Sequence, residues 1–210
     1  MSLAAVLLAA GGSTRLGRPK QLLELNGETL VRRSARLAQE AGFDPVLVVL
    51  GARADDITPA LEGLALTVIR NEGWEEGMAS SIRAGISALP EAVSGAVFLL
   101  CDQPAMDLGL LQRLRNAFEE DPSRPKACAY GGSAGIPAIF PRSDFGALTA
   151  LHGDKGAKTL LGEADLVPFP GGESDLDTPE DLERWLISCR VQKDENSPRR
   201  HREGTESTEK

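Results

Sequence analysis

The 210-residue sequence is short of several features that define large functional classes. It has no apolar run close to the ~20 residues that a membrane-spanning helix requires. Its 23 Lys and Arg residues are outnumbered by 31 Asp and Glu, giving a net charge of -8. Such a balance argues against nucleic acid or an acidic membrane surface as a partner held by bulk electrostatics. We therefore expect no nucleic-acid partner and no membrane partner.

Cysteine is also scarce, and its three positions have no metal-type spacing: Cys101, Cys128 and Cys189. The first residues, MSLAAVLLAAGG, are apolar but lack the basic region of a signal peptide and continue into a glycine turn. They predict a buried strand. Without an export signal, an odd number of cysteines is typical of reduced thiols, so we expect a cytoplasmic protein.

The overall composition is that of a globular protein, with 41% hydrophobic and 26% charged residues. Its length suits one domain, which we place at residues 1–189. Residues 190–210 are polar, mixed in charge and nearly without apolar side chains. This composition predicts a disordered tail.

Short apolar runs alternate with amphipathic stretches, which predicts an α/β fold with a mostly parallel, three-layer sheet. A stripe of Leu30, Leu37, Ala38 and Ala41 predicts a helix that ends at Gly42. The glycine- and proline-rich segment from Gly131 predicts an excursion over the carboxyl edge of the sheet. A last helix is predicted from Thr178 as its N-cap. Strands are predicted at 4–10, 45–51, 65–70, 95–101 and 126–130, and further helices at 78–90 and 108–121.

The glycine turn after the first strand matches neither of the two best-known phosphate loops. Its glycines stand at 11, 12 and 17, so the G-x-G-x-x-G of a dinucleotide-binding strand is absent. Lys20 is preceded by Pro19, which excludes G-x-x-x-x-G-K-[ST]. What remains is a turn whose backbone N–H groups, with Arg15 and Lys20, can reach a triphosphate.

The stretch LAAGGSTRLGRPKQLL resembles the signature of the MobA-like NTP transferases, the nucleotidyltransferases similar to the molybdenum cofactor enzymes. Three further segments agree with that family in order: NEGWEEGMASS, CDQPAMD, and GIPAIF with the later GDKGAK. DLDTPEDL near the end also matches. The third segment is similar to the cytidylyltransferase branch, although Ala134 stands where that branch usually has arginine. The resemblance implies a Rossmann-like nucleotidyltransferase fold.

The resemblance also implies roles for individual residues. Lys20 and Arg15 would be catalytic, with Arg15 on the β and γ phosphates and Lys20 on the α phosphate. Asp102 follows an apolar strand, where a carboxylate is a natural ligand for Mg²⁺, and Asp177 would be the second metal contact. Nucleotide binding would involve Leu8, Ala9, Ala10, Gly11, Gly12, Asn71, Gly77, Ser80 and Ser81. Acceptor binding would involve Gly135, Pro137, Asp154 and Lys155.

The activity implied is Mg²⁺-dependent transfer of CMP from CTP to the phosphate of molybdopterin, with pyrophosphate released. CTP is favoured because the strand ends in Ala9-Ala10-Gly11, the form seen in cytidylyl-type relatives. GTP stays open, as do other phosphorylated acceptors: a sugar phosphate, a phospholactate or methylerythritol phosphate. A non-catalytic carrier of molybdopterin dinucleotide is a further alternative. A molybdenum hydroxylase is the candidate recipient in either case.

Overall fold

Strands and helices alternate along most of the chain. The computed structural model describes residues 1–13, 17–154, 156–178, 180, 181, 183–185 and 187. The strands are β1 (Leu3–Ala9), β2 (Glu24–Leu25), β3 (Glu28–Thr29), β4 (Val46–Leu50), β5 (Thr67–Arg70), β6 (Gly95–Leu100), β7 (Lys126–Tyr130), β8 (Ser133–Pro141) and β9 (Asp165–Pro168). The helices are α1 (Leu30–Glu40), α2 (Ala54–Ile57), α3 (Met78–Ser87), α4 (Leu108–Glu120) and α5 (Phe145–Thr149). The described residues from 180 to 187 are helical as well.

Seven strands form one sheet in the order β5-β4-β1-β6-β8-β7-β9. The neighbours among β5, β4, β1 and β6 are parallel, and so are β7 and β9. Only β8 runs against both of its neighbours. The predicted mostly parallel sheet is thereby confirmed, and β1, β4, β5, β6 and β7 correspond to the five predicted strands. No helix in the described part of the chain is long and apolar enough to cross a membrane.

The side chains of β1 alternate between two buried clusters, one on each face of the sheet. Leu7 and its odd-numbered neighbours pack into the cluster that includes Phe118 of α4. Val6 and its even-numbered neighbours pack into the cluster that includes Ile82 of α3 and Leu148 of α5. Helices therefore cover both faces, which explains why β1 is apolar without interruption. The predicted three-layer arrangement is thereby confirmed.

Helix α1 has the predicted apolar stripe and the predicted end. Leu30, Leu37, Ala38 and Ala41 are all buried. Gly42 follows with φ of +82°, a left-handed conformation that glycine adopts without steric cost. Its backbone ends the helix and turns the chain toward β4.

The segment from Gly131 differs from its prediction. It forms β8, a strand inside the sheet between β6 and β7. Glycine and proline normally argue against an inner strand, and here an irregular register accommodates them. Ala127 pairs with Ala138 but Cys128 pairs with Gly135, so the two intervening residues of β8 have no partner in β7. The short strands β2, β3 and β9 were also not predicted.

We expect Gly85→Ala to lower the free energy of unfolding by about 1–2 kcal/mol in a denaturant titration. Gly85 is where α3 lies against β1, and a Cβ there would overlap Val6 Cγ1. Val6 is buried and β-branched, so it has little freedom to move aside. The free-energy cost of this steric overlap should exceed the stabilisation that the higher helix propensity of alanine provides.

Gly146→Ala is the matched control for this substitution. Gly146 lies in α5, and a Cβ there would have no heavy atom within 4 Å. The control should be neutral or stabilising by up to about 1 kcal/mol. If Gly85→Ala were as stable as the control, the close packing of α3 on β1 would be wrong.

Candidate active site

A pocket of about 380 Å³ opens at the carboxyl ends of β1 and β6, the edge at which ligands bind in open α/β sheets. Leu8 of β1 pairs in parallel register with Leu100 of β6, so the loops that follow the two strands begin side by side. The pocket is lined by Leu8, Ala9, Ala10, Gly11, Lys20, Gln21, Trp74, Glu75, Gly77, Met78, Ser81, Leu100, Cys101, Asp102 and Asp154. Most of the predicted nucleotide-site residues therefore meet in one cavity.

The turn after β1 presents backbone to this pocket. Gly11 lines it, and a Cβ at that position would have no heavy atom within 4 Å. Gly12 lies outside the lining, and a Cβ there would stand 3.5 Å from the Trp74 ring. The Gln21 side-chain nitrogen donates to the carbonyl oxygens of Ala9 and Gly11 at 2.8 and 2.9 Å. The turn is thus held by a side chain that the sequence analysis left unassigned.

Lys20 joins the two predicted metal ligands. It opens a short 3-10 helix, Lys20–Leu22, and its Nζ donates to a carboxylate oxygen of Asp102 and, at 2.9 Å, to Asp177 Oδ1. Burial acts to lower the pKa of Lys20, but the charge and hydrogen bonds of the two carboxylates outweigh it. The pKa of Lys20 is consequently raised above its usual value, and the side chain stays an ammonium. Arg15, its predicted catalytic partner, lies outside the described residues.

Asp177 comes from a distant part of the sequence, and backbone contacts bring it to the site. Leu176 N donates to Asp102 O at 2.9 Å, which docks this segment on the loop after β6. Thr178 Oγ1 accepts from Asp181 N at 3.2 Å, while Asp181 Oδ2 accepts from Thr178 N at 2.8 Å. This reciprocal pair is a capping box, and it confirms Thr178 as the N-cap.

Asp175 is a third carboxylate at this edge that the sequence analysis missed. Partial burial, together with the negative charges of Asp102 and Asp177, raises its pKa to about 6. The signal that was available is the D-L-D pattern, in which two acids flank the leucine that docks on the site. Lys20 opposes the shift with its positive charge.

The carboxylates fit a hard divalent cation. Asp102 is 7% exposed, and its Oδ1 is buried without a hydrogen-bond partner within the described residues. No group of three or more His, Cys, Asp or Glu in that part of the chain is arranged to hold a metal. Mg²⁺ does not require such a group, since it usually binds one or two carboxylates together with substrate phosphates and water. Asp102 and Asp177 are the residues that could hold it.

The start of α3 forms another wall of the pocket. Gly77 has φ of +112°, and a Cβ there would collide with Asp154 and lie 2.8 Å from Gly153 O. The predicted nucleotide-side Gly77 and the predicted acceptor-side Asp154 are therefore direct neighbours. Ser81 lines the pocket at the same helix start.

Asn71 and Ser80, also predicted at the nucleotide, lie behind this wall. The Asn71 side-chain nitrogen donates to Ser80 Oγ at 2.8 Å and to Ser81 Oγ at 3.0 Å. Ser80 Oγ donates in turn to Gly77 O at 2.8 Å. In this structure Asn71 and Ser80 shape the helix start, and neither belongs to the pocket lining.

Gly135 and Pro137, predicted at the acceptor, are outside the lining but at the same edge, where β8 begins beside the end of β6. Gln103 Nε2 donates to Ile136 O at 3.0 Å, and Tyr130 Oη donates to the same oxygen at 2.9 Å. These bonds tie the start of β8 to the loop that carries Asp102. Lys155, the other predicted acceptor residue, lies outside the described residues.

Several residues of the pocket had no predicted role. Trp74 and Met78 belong to the N-E-G-W-E-E-G-M stretch, which was quoted without giving them a role. Gln21 belongs to the first motif, directly after Lys20, and also had no predicted role. Cys101 lines the pocket too, and burial raises the pKa of its thiol to about 12, so it stays protonated. His152 is outside the lining, with an 84% exposed side chain.

Residues 5–167 match the MobA-like NTP transferase domain, and the chain belongs to that family. The family named from the glycine turn and the later motifs is thus confirmed.

Two relatives cover most of the chain. The nicotine blue oxidoreductase of Paenarthrobacter nicotinovorans is 32% identical over 197 residues, spanning 86% of this chain and 95% of the relative. The molybdenum cofactor guanylyltransferase of Rhodobacter capsulatus is 32% identical over 190 residues, spanning 88% and 95%. The two names describe different reactions, so similarity alone leaves the substrate open.

A solved structure agrees with the fold and bears on the metal. Rv0371c from Mycobacterium tuberculosis H37Rv is 32% identical, with a TM-score of 0.77 over 89% of this chain and 98% of that one. Rv0371c has also been crystallised in a complex with manganese, and that structure aligns with a TM-score of 0.71 at 30% identity. A divalent metal is therefore compatible with this scaffold.

Asp175→Asn should remove a pH dependence of stability in the metal-free protein. The pKa of Asp175 is raised to about 6 in the folded chain, so the folded state holds its proton more tightly than the unfolded state does. Its contribution is complete below about pH 4, the ordinary range of an aspartate, and is lost as pH rises through about 6. Urea unfolding with chelator should show the wild-type advantage over the variant falling across that window.

Asp121→Asn serves as a control of opposite sign. The side chain and backbone N–H of Ser123 lower the pKa of Asp121. Its contribution is present above the ordinary pKa of an aspartate and is lost as pH falls, so the wild-type advantage over this variant should rise with pH. Parallel curves for the two variants would contradict the assignment of the raised pKa to Asp175.

Proposed function

We propose that the protein is a Mg²⁺-dependent nucleotidyltransferase that transfers CMP from CTP to the phosphate of molybdopterin. The observation that carries this proposal is the meeting of the glycine turn, Lys20 and Asp102 in one pocket. Such a pocket offers backbone donors, an ammonium and a carboxylate to a nucleoside triphosphate. Membership of the MobA-like NTP transferase family supports the same class of reaction.

The reaction needs no nucleophilic side chain. An oxygen of the acceptor phosphate forms a bond to the α-phosphorus, and the bond from that phosphorus to the departing pyrophosphate breaks. Catalysis then depends on positioning two polyanions and neutralising their charge. The buried, protonated thiol of Cys101 and the exposed position of His152 agree with a site that works by charge and orientation.

Each charged residue has a task in this mechanism. Lys20 would stabilise the charge that develops on the α phosphate, and the Arg15 guanidinium would bind the β and γ phosphates through its fork of donors. Asp102 and Asp177 would hold Mg²⁺, which, when bound, offsets the charge of the triphosphate. Without that ion the same two carboxylates hold the Lys20 ammonium.

Two substrates have to be assigned, the nucleotide and the acceptor. CTP is favoured by the strand end Ala9-Ala10-Gly11, whereas GTP is favoured by the name of the Rhodobacter capsulatus relative. That name and the G-D-K-G-A-K segment, whose Asp154 lines the pocket, support molybdopterin as acceptor. A molybdenum hydroxylase would receive the product in the cytoplasm.

Pyrophosphate release should occur with CTP and molybdenum-loaded molybdopterin and be absent with ATP or UTP. Lys20→Ala should lose on the order of 3 kcal/mol of transition-state stabilisation, about a hundredfold in rate. The control is Arg124→Ala, which removes an exposed cation before β7, at the opposite edge of the sheet. It should keep the wild-type rate. Thermal unfolding of each variant would separate lost folding from lost catalysis.

Other outcomes of the assay redirect the proposal. Release with GTP alone would overturn the choice of base and keep the mechanism. Release that requires a sugar phosphate, a phospholactate or methylerythritol phosphate would change the acceptor. If no nucleoside triphosphate turns over, the carrier hypothesis or a redox reaction like that named for the Paenarthrobacter nicotinovorans relative would take its place.

Lys20→Met should bind Mn²⁺ alone more tightly than wild type does, on the order of tenfold by calorimetry or electron paramagnetic resonance. In the wild-type chain the ammonium and the cation compete for Asp102 and Asp177, and the substitution removes one competitor. Adding Asp102→Asn to Lys20→Met should abolish the gain. Equal or weaker Mn²⁺ binding by Lys20→Met would contradict a metal site at these two carboxylates.

A further inference from the structure

Gln21 lines the pocket, yet the mechanism above gives it no task. It is 1% exposed, and within the described residues its side-chain hydrogen bonds go to the strand end and the glycine turn. Its Nε2 donates to Ala9 O at 2.8 Å and to Gly11 O at 2.9 Å, while its Oε1 accepts from Ser13 Oγ at 3.3 Å. Because Nε2 meets two carbonyl acceptors and Oε1 meets a hydroxyl, the orientation of the amide group is defined by its partners.

These bonds set the direction of the peptide groups in the turn. In a trans peptide the C=O and the N–H point in opposite directions. Holding Ala9 O and Gly11 O toward Gln21 therefore directs the N–H groups of Ala10 and Gly12 away from it. Backbone N–H groups aimed from such a turn are the donors that bind phosphate. Gly11 has no side chain with which to hold this geometry itself.

The same contacts connect the turn to Lys20. Ser13 Oγ accepts from Lys20 N at 3.0 Å and donates to Gln21 Oε1. Ser13 has φ of +49°, an uncommon conformation for a residue with a side chain, so it depends on such anchoring. Gln21 and Ser13 thus fix the phosphate-facing backbone relative to the residue whose ammonium reaches Asp102.

We propose that Gln21 is a positioning residue for nucleotidyl transfer, which holds the glycine turn in its triphosphate-binding conformation before the nucleotide arrives. This inference rests on the proposed function for the identity of the bound anion as an NTP. Pre-organisation lowers the entropy that binding would otherwise cost. Losing it should therefore weaken binding of the triphosphate and leave the bound complex able to react.

Gln21→Glu keeps the shape of the side chain but replaces the donating nitrogen with an acceptor oxygen and adds a negative charge, so the charge-neutral variant Ser13→Ala is measured beside it. We expect the KM of Gln21→Glu for the NTP, and its dissociation constant for inorganic tripolyphosphate measured by calorimetry, to rise at least tenfold, with a smaller change in kcat. The matched control is Gln39→Glu on α1, where the wild-type Nε2 donates to Ala65 O at 2.7 Å. The control should stay within twofold of wild type for both ligands.

Ser13→Ala keeps the test decisive if Gln21→Glu fails to fold. It removes the hydroxyl shared by Gln21 and Lys20, and it should weaken tripolyphosphate binding severalfold with little change in melting temperature. Wild-type affinity in a folded Gln21→Glu, or in Ser13→Ala when Gln21→Glu does not fold, would overturn the proposal.

Tripolyphosphate also separates this inference from the proposed function. If the wild-type chain binds it and the variants do not, Gln21 positions an anion site even when no NTP is turned over. If NTP turnover is intact and all variants bind equally, the proposed function stands and the role of Gln21 falls. A wild-type chain that binds neither tripolyphosphate nor NTP overturns both.

Discussion

The site depends on one electrostatic constraint, the neutralisation of two convergent carboxylates by the Lys20 ammonium. Asp102 is nearly buried, and a buried carboxylate without a cation is costly. Lys20 supplies the charge, and the two carboxylates raise the pKa of its side chain although burial acts to lower it. The proposed chemistry would use the same balance. A divalent cation bound to the two carboxylates would neutralise them in place of Lys20, and the triphosphate would then attract the Lys20 ammonium.

The fold makes this balance possible by placing two strand ends side by side. The parallel pairing of β1 and β6 sets the glycine turn and Asp102 next to each other. Close packing brings the other parts of the pocket together. A Cβ at Gly51 would lie 2.6 Å from Trp74 Cβ and 2.7 Å from Ala10 O. A Cβ at Gly77 would likewise collide with Asp154. The pocket wall is therefore assembled where backbones approach so closely that only glycine fits.

The relatives illustrate how little a scaffold says about substrate. An oxidoreductase and a guanylyltransferase are both 32% identical to this chain over most of its length. Fold similarity is compatible with several reactions, so nucleotidyl transfer is inferred from the residues of the site. Lys20, Asp102 and the glycine turn to which Gln21 donates together suit a polyanion better than a planar redox cofactor.

The sequence by itself determined the strands with continuous apolar runs, the end of α1 at Gly42, and the family, because these depend on local patterns and contiguous motifs. It did not reveal β8, since Gly135 and Pro137 argue against an inner strand unless the partner strand has an irregular register. It indicated Lys20, Asp102 and Asp177 as site residues, but it did not indicate that the Lys20 ammonium donates to both carboxylates. Asn71 and Ser80 lie behind the wall that Ser81 lines, and Gln21 acts on carbonyls of another segment. Those arrangements were decided only by tertiary structure, because Lys20, Asp102 and Asp177 are distant in the sequence and the contacts of Asn71 and Gln21 depend on how their own segments fold back.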